Sequence, residues 1–158
     1  MPEFSQGVGE AAARAFLRKL HPDESWATLR RCVDQLSPML RHDLVRDGVS
    51  TNLLLALLGT FDRISKQEVY SVIGISEKTT SRRKDHMLPR EAADATLALI
   101  EITSLAENVL GRHAEAEQWL MTPAIGLDGR RPIDLIATRA GAEMVKNHLI
   151  RMDYGVYA

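Results

Sequence analysis

Apolar residues recur at helical spacing along most of the chain. Residues 10–20 place one apolar face on Ala13, Phe16, Leu17 and Leu20, and a second follows Pro22, a residue typical of a first helical turn. No run of alternating apolar and polar residues is long enough to predict a strand. The pattern therefore predicts an all-α fold that starts with two amphipathic helices.

Further helices are predicted in the rest of the chain, over 52–58, 91–110, 113–120, 132–137 and 141–153. The helix over 91–110 lies between Pro89 and Gly111 and is long enough to connect two parts of the fold. In the last helix the spacing predicts an inner face made of Met144, Val145, His148, Leu149 and Met152.

A helix-turn-helix pattern occupies residues 65–84. Ser65 with Glu68 matches a capping box, which predicts a helix starting at Lys66. Gly74 can take the positive φ of a sharp turn, and Ser76 can cap a second helix from Glu77 to about residue 84. In this layout the second helix enters the DNA major groove.

Charge is distributed unevenly along a chain whose net charge is only −1. Residues 61–90 carry seven basic and four acidic residues, whereas residues 91–158 carry six basic and ten acidic ones. The bases of 78–90 are Lys78, Arg82, Arg83, Lys84 and Arg90. Such a run is typical of a solvated helix face, but on a reading helix it could bind phosphates.

The second helix supplies the candidate DNA-binding residues. We expect Lys78, Ser81 and Arg82 to face outward, and Thr79, Thr80 and Arg83 to be partly inward or flanking. The full candidate set is Ser76, Lys78, Thr79, Ser81, Arg82, Arg83 and Lys84. The alternative is an αα-hairpin inside a helical bundle, but three consecutive cations at 82–84 favour double-stranded DNA.

Composition excludes several classes of protein. The chain of 158 residues is 45% hydrophobic and 26% charged, which is typical of one or two globular domains. Its longest apolar run, Leu53–Leu58, is too short for a membrane span, and its start lacks a secretory signal. The single Cys32 cannot form an internal disulfide, which favours a reducing cytoplasm.

Candidate catalytic chemistry is not found. The five histidines have no partners at metal-ligand spacing, and Cys32 is most simply a small core residue. Gly126–Gly129 lacks the lysine and hydroxyl of a phosphate-binding loop and predicts a turn. We therefore expect no enzyme activity, no catalytic residue, no metal and no cofactor.

Two segments carry a resemblance to a known family. Residues 74–83 resemble the helix-turn-helix of Xre-like antitoxins. A second set resembles the Xre/MbcA/ParS toxin-binding domain: Trp119, Leu120, Thr122, Pro123, Leu127, Gly129, Pro132, Leu135, Gly141, Val145 and 154–158. The resemblance covers roughly residues 45–158, and residues 1–44 add nothing to it. Ala124 and Asp128 stand where many members have asparagine and glycine.

The resemblance implies an antitoxin of a type II toxin–antitoxin module. Its toxin would be a RES-domain protein that consumes NAD or uses it for ADP-ribosylation, and the antitoxin would also repress the shared operon. The implied organisation is an N-terminal helical extension (1–44), an Xre-like helix-turn-helix domain (45–107) and a toxin-binding domain (108–158). Repression would require a homodimer on a palindromic operator, or a larger complex with toxin.

The candidate toxin-binding residues lie in one loop and at the end of the chain. They are Arg130, Arg131, Tyr154, Gly155, Val156, Tyr157 and Ala158. Two tyrosines and a valine so close to a chain end are typical of contact anchors, although they could instead fold back over their own domain. We expect this tail to occlude the toxin's NAD pocket.

Two other functions fit the same sequence. The first is a stand-alone helix-turn-helix regulator whose C-terminal domain binds a small ligand or dimerises. The second is a structural adaptor that never touches DNA. The dimer surface of a regulator would be the apolar stripe on 91–110 or the N-terminal helices with Phe16 and Trp26.

Overall fold

A computed structural model describes residues 10–82 and 85–155 of the chain. The regular structure within these residues consists of α-helices, with a single 3₁₀ turn at Ile125–Leu127 and two isolated bridge pairs in the connecting segments. The helices are α1 Glu10–Arg18, α2 Trp26–Asp34, α3 Pro38–Asp47, α4 Thr51–Thr60, α5 Lys66–Ile73, α6 Glu77–Arg82, α7 Arg90–Leu110, α8 His113–Leu120, α9 Pro132–Leu135 and α10 Arg139–Asp153. The predicted all-α fold class is confirmed.

Hydroxyl side chains set where the N-terminal helices begin. Ser25 Oγ accepts a hydrogen bond from the amide of Thr28 at 3.2 Å, so α2 begins at Trp26 and not at Pro22 as the sequence predicted. α3 was not predicted. It begins at Pro38, directly after Ser37, whose Oγ accepts from the amide of Leu40 at 3.1 Å.

The core of the molecule is α7, which is buried on most of its circumference. The predicted helix over 91–110 is confirmed, with one more residue at its start. Twelve of its side chains are buried: Ala92, Ala93, Ala95, Thr96, Leu97, Ala98, Leu99, Ile100, Ile102, Thr103, Ser104 and Ala106. Helices α2, α3, α4, α5, α8 and α10 all pack against it. A helix apolar all round is typical of a core element.

Polar groups buried along α7 are satisfied within the chain. The hydroxyls of Thr96 and Thr103 donate to carbonyl oxygens four residues earlier, each at 2.6 Å. Ser104 donates to Asp34 of α2 at 3.1 Å. Because these groups are paired, α7 can be enclosed without the cost of unmet hydrogen bonds.

Ion pairs attach the N-terminal helices and α10 to the rim of α7. Arg41 of α3 pairs with Asp94 at 3.1 Å and also with Glu101. Lys146 of α10 reaches the same Glu101 at 3.0 Å, and the indole Nε1 of Trp26 donates to Glu107 at 2.6 Å. The stripe on 91–110 is therefore enclosed within one chain and is not a free dimer surface.

The junction between α9 and α10 depends on Gly141. This residue is buried in the first turn of α10, and its amide donates to the Thr138 hydroxyl at 3.0 Å. A Cβ at this position would lie 1.9 Å from the carbonyl oxygen of Leu135. Only glycine allows α10 to approach the end of α9 this closely.

The inner face of α10 differs from the predicted one at a single position. Val145, His148 and Leu149 are buried and Met152 is half-buried, but Met144 is 48% exposed. Met144 lies at the edge of the predicted face, where the packed elements no longer cover it. His148 stacks on Trp119 of α8, with ring centroids 6.1 Å apart.

We expect Gly141→Ala to destabilise the fold. Its methyl group would meet a backbone carbonyl, which cannot move aside as a flexible side chain can, so the free energy of unfolding should fall by about 2 kcal/mol or more. The matched control is Gly59→Ala in α4, where a Cβ meets nothing within 4 Å. Thermal and urea denaturation should show the control unchanged or slightly stabilised. Equal stabilities for the two variants would contradict this packing.

We expect His148 to make stability fall at acid pH. Burial, and secondarily Arg151, lower the pKa of His148 in the folded state, so the unfolded chain binds the proton more readily. The stability that neutral His148 contributes is fully present above the ordinary histidine pKa of about 6.5. It is lost as the pH falls through the lower pKa that His148 has in the folded state. His148→Gln should flatten the dependence of urea midpoint on pH between about 7 and 5. His42→Gln, at an exposed position, should keep the wild-type slope.

Candidate functional site

The helix-turn-helix forms at the positions that its capping residues predict. Ser65 Oγ accepts from the amide of Glu68 at 3.2 Å, and α5 begins at Lys66. Gly74 has a left-handed φ of 80°, and its amide donates to the carbonyl of Tyr70 at 2.9 Å. Ser76 Oγ then accepts from the amide of Thr79 at 3.0 Å at the start of α6.

The inner side of this unit is packed against the core. Ile75, between the turn and the capping Ser76, is buried. Thr80 is 5% exposed at a position where an apolar residue would be expected, and its hydroxyl donates to the Ser76 carbonyl at 3.0 Å. Tyr70 lies against it, and its pKa is raised by burial and then by the Glu77 carboxylate. α6 is therefore held in one orientation.

The outer side of α6 presents two cations. Lys78 and Arg82 are exposed, while the exposed hydroxyls nearby are used locally: Ser76 and Thr79 bond each other at 2.7 Å, and Ser81 donates to the Glu77 carbonyl. Thr79 is fully on the outer side and is not partly inward. Arg83 and Lys84, also predicted to bind DNA, lie outside the described residues.

Glu77 is an exposed residue of the first turn of α6. It is not among the DNA-binding residues that the sequence predicts. A carboxylate in that turn stabilises the helix through its dipole. The same group can accept a hydrogen bond from a cytosine amino group in the major groove. Its position directly after the capping serine was the signal that could have identified it.

A rigid turn lies at the other candidate site, between α8 and α9. The Ala124 amide donates to the Arg130 carbonyl at 3.1 Å, and the Gly129 amide donates to the Ala124 carbonyl at 2.9 Å. Leu127 is buried and attaches the turn to the core. Asp128 has a left-handed φ of 56°, which is the reason glycine suits this position.

Arg131 is partly exposed, and its guanidinium is held by two carboxylates of its own chain. Its Nη2 lies 3.2 Å from Glu68 of α5 and 2.8 Å from Asp134 of α9, and these two carboxylates raise its pKa. Glu68 is thus paired with an arginine 63 residues later in the chain, although the capping box had assigned its carboxylate to Ser65. Arg130 is exposed, as a contact residue would be.

α8 is tied to the segment between α4 and α5. The carboxylate of Glu117, which is 1% exposed, accepts from the amide of Arg63 at 3.1 Å. The His113 Nε2 lies 3.0 Å from the carbonyl of Thr60. Together with the Arg131–Glu68 pair, these contacts join the helix-turn-helix to the C-terminal helices as one packed unit.

The end of α10 leaves an aromatic residue in solvent. Tyr154 is 80% exposed, and Gly155 follows with a φ of 73°. Tyr154 therefore does not fold back over its own helices, which was the alternative to a contact role. Val156, Tyr157 and Ala158 lie outside the described residues.

Other chemical sites are not evident in the part of the chain that the structure describes. No group of three or more histidine, cysteine or acidic side chains there could hold a metal ion, and no described helix is long and apolar enough to cross a membrane. Cys32 is buried, as predicted, and burial raises the pKa of its thiol to about 12. An open groove of about 720 Å³ beside α3, α7 and α10 contains the paired Arg41, Glu101 and Lys146.

Comparison with known proteins identifies the C-terminal third. Residues 105–155 match the family described as the antitoxin Xre/MbcA/ParS C-terminal toxin-binding domain. The match includes α8, the rigid turn, α9 and α10. It therefore contains Arg130, Arg131 and Tyr154 among the candidate contact residues.

Two curated relatives match nearly the whole chain. "Antitoxin Xre" of Yersinia enterocolitica is 23% identical over 148 residues, covering 90% of this chain and all of that protein. The "Prs ADP-ribosylating antitoxin" of a Sphingobium species is 22% identical over 160 residues, covering 94% of this chain and 98% of that protein. Such coverage extends into residues 1–44, so the expectation that this segment adds nothing to the resemblance is wrong.

The all-α fold, the capped helix pair and the two relatives all support a resemblance to the same kind of antitoxin. The resemblance predicted from the sequence is therefore confirmed: the chain is similar to the Xre/MbcA/ParS-type antitoxins, and its residues 105–155 match the model of their C-terminal toxin-binding domain.

Proposed function

We propose that this chain is a non-enzymatic antitoxin that neutralises a toxin encoded beside it and represses their shared operon. The observation that carries the proposal is the presence, in one packed chain, of the toxin-binding domain at 105–155 and of a helix-turn-helix whose second helix exposes Lys78 and Arg82. The first unit supports protein binding and the second supports DNA binding.

The toxin in this proposal is a RES-domain enzyme that acts on NAD. The name of the Sphingobium relative, an ADP-ribosylating antitoxin, is consistent with a partner of this chemistry. Inhibition is steric: the exposed Tyr154 and Arg130, with the residues after Gly155, cover the entrance to the toxin's NAD pocket. Exposed aromatic and arginine side chains are the residues most often used as contact anchors.

Operator binding in this proposal uses α6 in the major groove. Lys78 and Arg82 contact phosphates or base edges, and Ser76, Thr79 and Ser81 lie at the groove wall. Arg83 and Lys84, which lie outside the described residues, are proposed from the sequence alone to bind DNA as well. One short helix reads few base pairs. A homodimer would therefore place two copies of α6 on half-sites about 34 Å apart in a palindromic operator.

In this proposal each predicted domain has its own binding function. Residues 45–107 bind DNA and residues 108–158 bind toxin, while residues 1–44 complete the core around α7 through α2 and α3. Phe16 and Trp26 are half-buried against this core, so the N-terminal helices offer less apolar surface for a dimer than their sequence predicts. Binding takes place in the cytoplasm, where toxin and operator are both present.

We expect Arg82→Ala to weaken operator binding by at least about tenfold, within the range of 1–3 kcal/mol typical of an arginine at a base edge. Lys78→Ala should weaken binding more evenly across sequences and lower the salt dependence by about one counterion. Both are measured by gel shift with the duplex upstream of the chain's own gene. Lys19→Ala, an exposed cation on the turn after α1, is the matched control. Unchanged affinity for both α6 variants would contradict the DNA-binding role.

We expect deletion of residues 154–158 to abolish inhibition of the toxin. The measurement is NAD consumption by the purified neighbouring gene product with increasing amounts of full-length or shortened chain. Because Tyr154 is 80% exposed and lies after α10, the deletion should leave the melting temperature and operator affinity unchanged. Full inhibition by the shortened chain would rule out occlusion by the tail. Failure of the intact chain to bind the toxin would favour a stand-alone regulator.

A further inference from the structure

Ile125 is the most exposed large apolar residue in the described part of the chain, at 94% of its full accessible surface. It lies at the start of the 3₁₀ turn between α8 and α9, after Pro123, which is also exposed. An isoleucine this exposed gains almost none of the hydrophobic stabilisation that burial of its side chain would contribute.

Ile125 is exposed although the backbone of its turn is held by hydrogen bonds. Its backbone is closed by the Ala124–Arg130 pair at 3.1 Å and by the Asp128 amide, which donates to the Ile125 carbonyl at 3.1 Å. Leu127, two residues later, is 2% exposed and fixes the turn to the core. The same short segment thus buries one apolar side chain and presents the other outward in a fixed position. A loop whose backbone is held by hydrogen bonds before binding loses less entropy in a complex than a loose one.

Exposed apolar side chains are concentrated in the same region of the chain. Of the six large ones among the described residues, Ile125, Met144, Ile150 and Tyr154 fall within 105–155, although that segment is about a third of the chain. Ile150 lies on the exposed face of α10, and Tyr154 follows directly after the end of that helix. Four of the six exposed large apolar residues thus lie in the segment that matches a toxin-binding domain.

We propose that Ile125 is an anchor residue for the toxin, inserting into an apolar socket on the toxin's surface. This inference rests on the proposed function and adds to it a contact point separate from the C-terminal tail. The occupant is the toxin because the turn lies inside the segment that matches a toxin-binding domain. The adjacent exposed Arg130 suits a socket with an acidic border.

The test measures the affinity of full-length variants for the purified product of the neighbouring gene by titration calorimetry. Ile125→Asp should bind at least tenfold more weakly, since it would place a carboxylate in an apolar socket, and Ile125→Ala should show a smaller loss. Met39→Asp is the matched control, because Met39 is 71% exposed on α3, outside 105–155. All three variants should keep the wild-type melting temperature and operator affinity.

The possible results separate the two proposals. Weakened binding by the Ile125 variants, with Met39→Asp unchanged, supports the anchor. Wild-type affinity in Ile125→Asp overturns the anchor and leaves the antitoxin function intact, as does an equal loss in the Met39 control. Absence of binding by the wild-type chain overturns both.

Discussion

Enclosure of α7 is the constraint on which the rest of the structure depends. A helix of 21 residues with buried side chains around most of its circumference is stable only if other helices cover every side. The chain meets this requirement with α2 and α3 from its beginning, α4 and α5 from its middle, and α8 and α10 from its end. Regions that the sequence divides into an extension and two domains therefore share one core.

This shared core fixes both candidate sites relative to each other. α5 packs on α7 and carries the turn and the short α6, while the segment from α8 to α10 packs on the same helix. Polar contacts made by Arg131, Glu117 and His113 connect the two regions outside the core. Neither site can rotate freely, in contrast to two domains joined by a linker.

Capping and turn residues predict the local structure at several positions but not at all of them, since α2 was expected to begin at Pro22 and begins after Ser25. The start of α5 after Ser65, the left-handed Gly74 and both ends of α8 follow from capping and turn preferences that act over a few residues. α3 was missed because its apolar positions are few, although Ser37 and Pro38 mark its start. The pairing of Arg131 with Glu68 could not be predicted, since the two residues are distant in sequence. The exposure of Ile125 likewise depends on how neighbouring helices cover the turn.

Sharing of the Arg131 guanidinium has a thermodynamic consequence for any negatively charged group that approaches it. Such a group would compete with two carboxylates already in place, at 2.8 and 3.2 Å, and could gain only the difference between the new and the displaced attraction. An anion that displaced Glu68 from Arg131 would weaken the attachment of α5 at its first turn. Arg131 therefore binds adventitious anions poorly, and an anionic partner can displace its carboxylates only if that partner makes compensating contacts elsewhere.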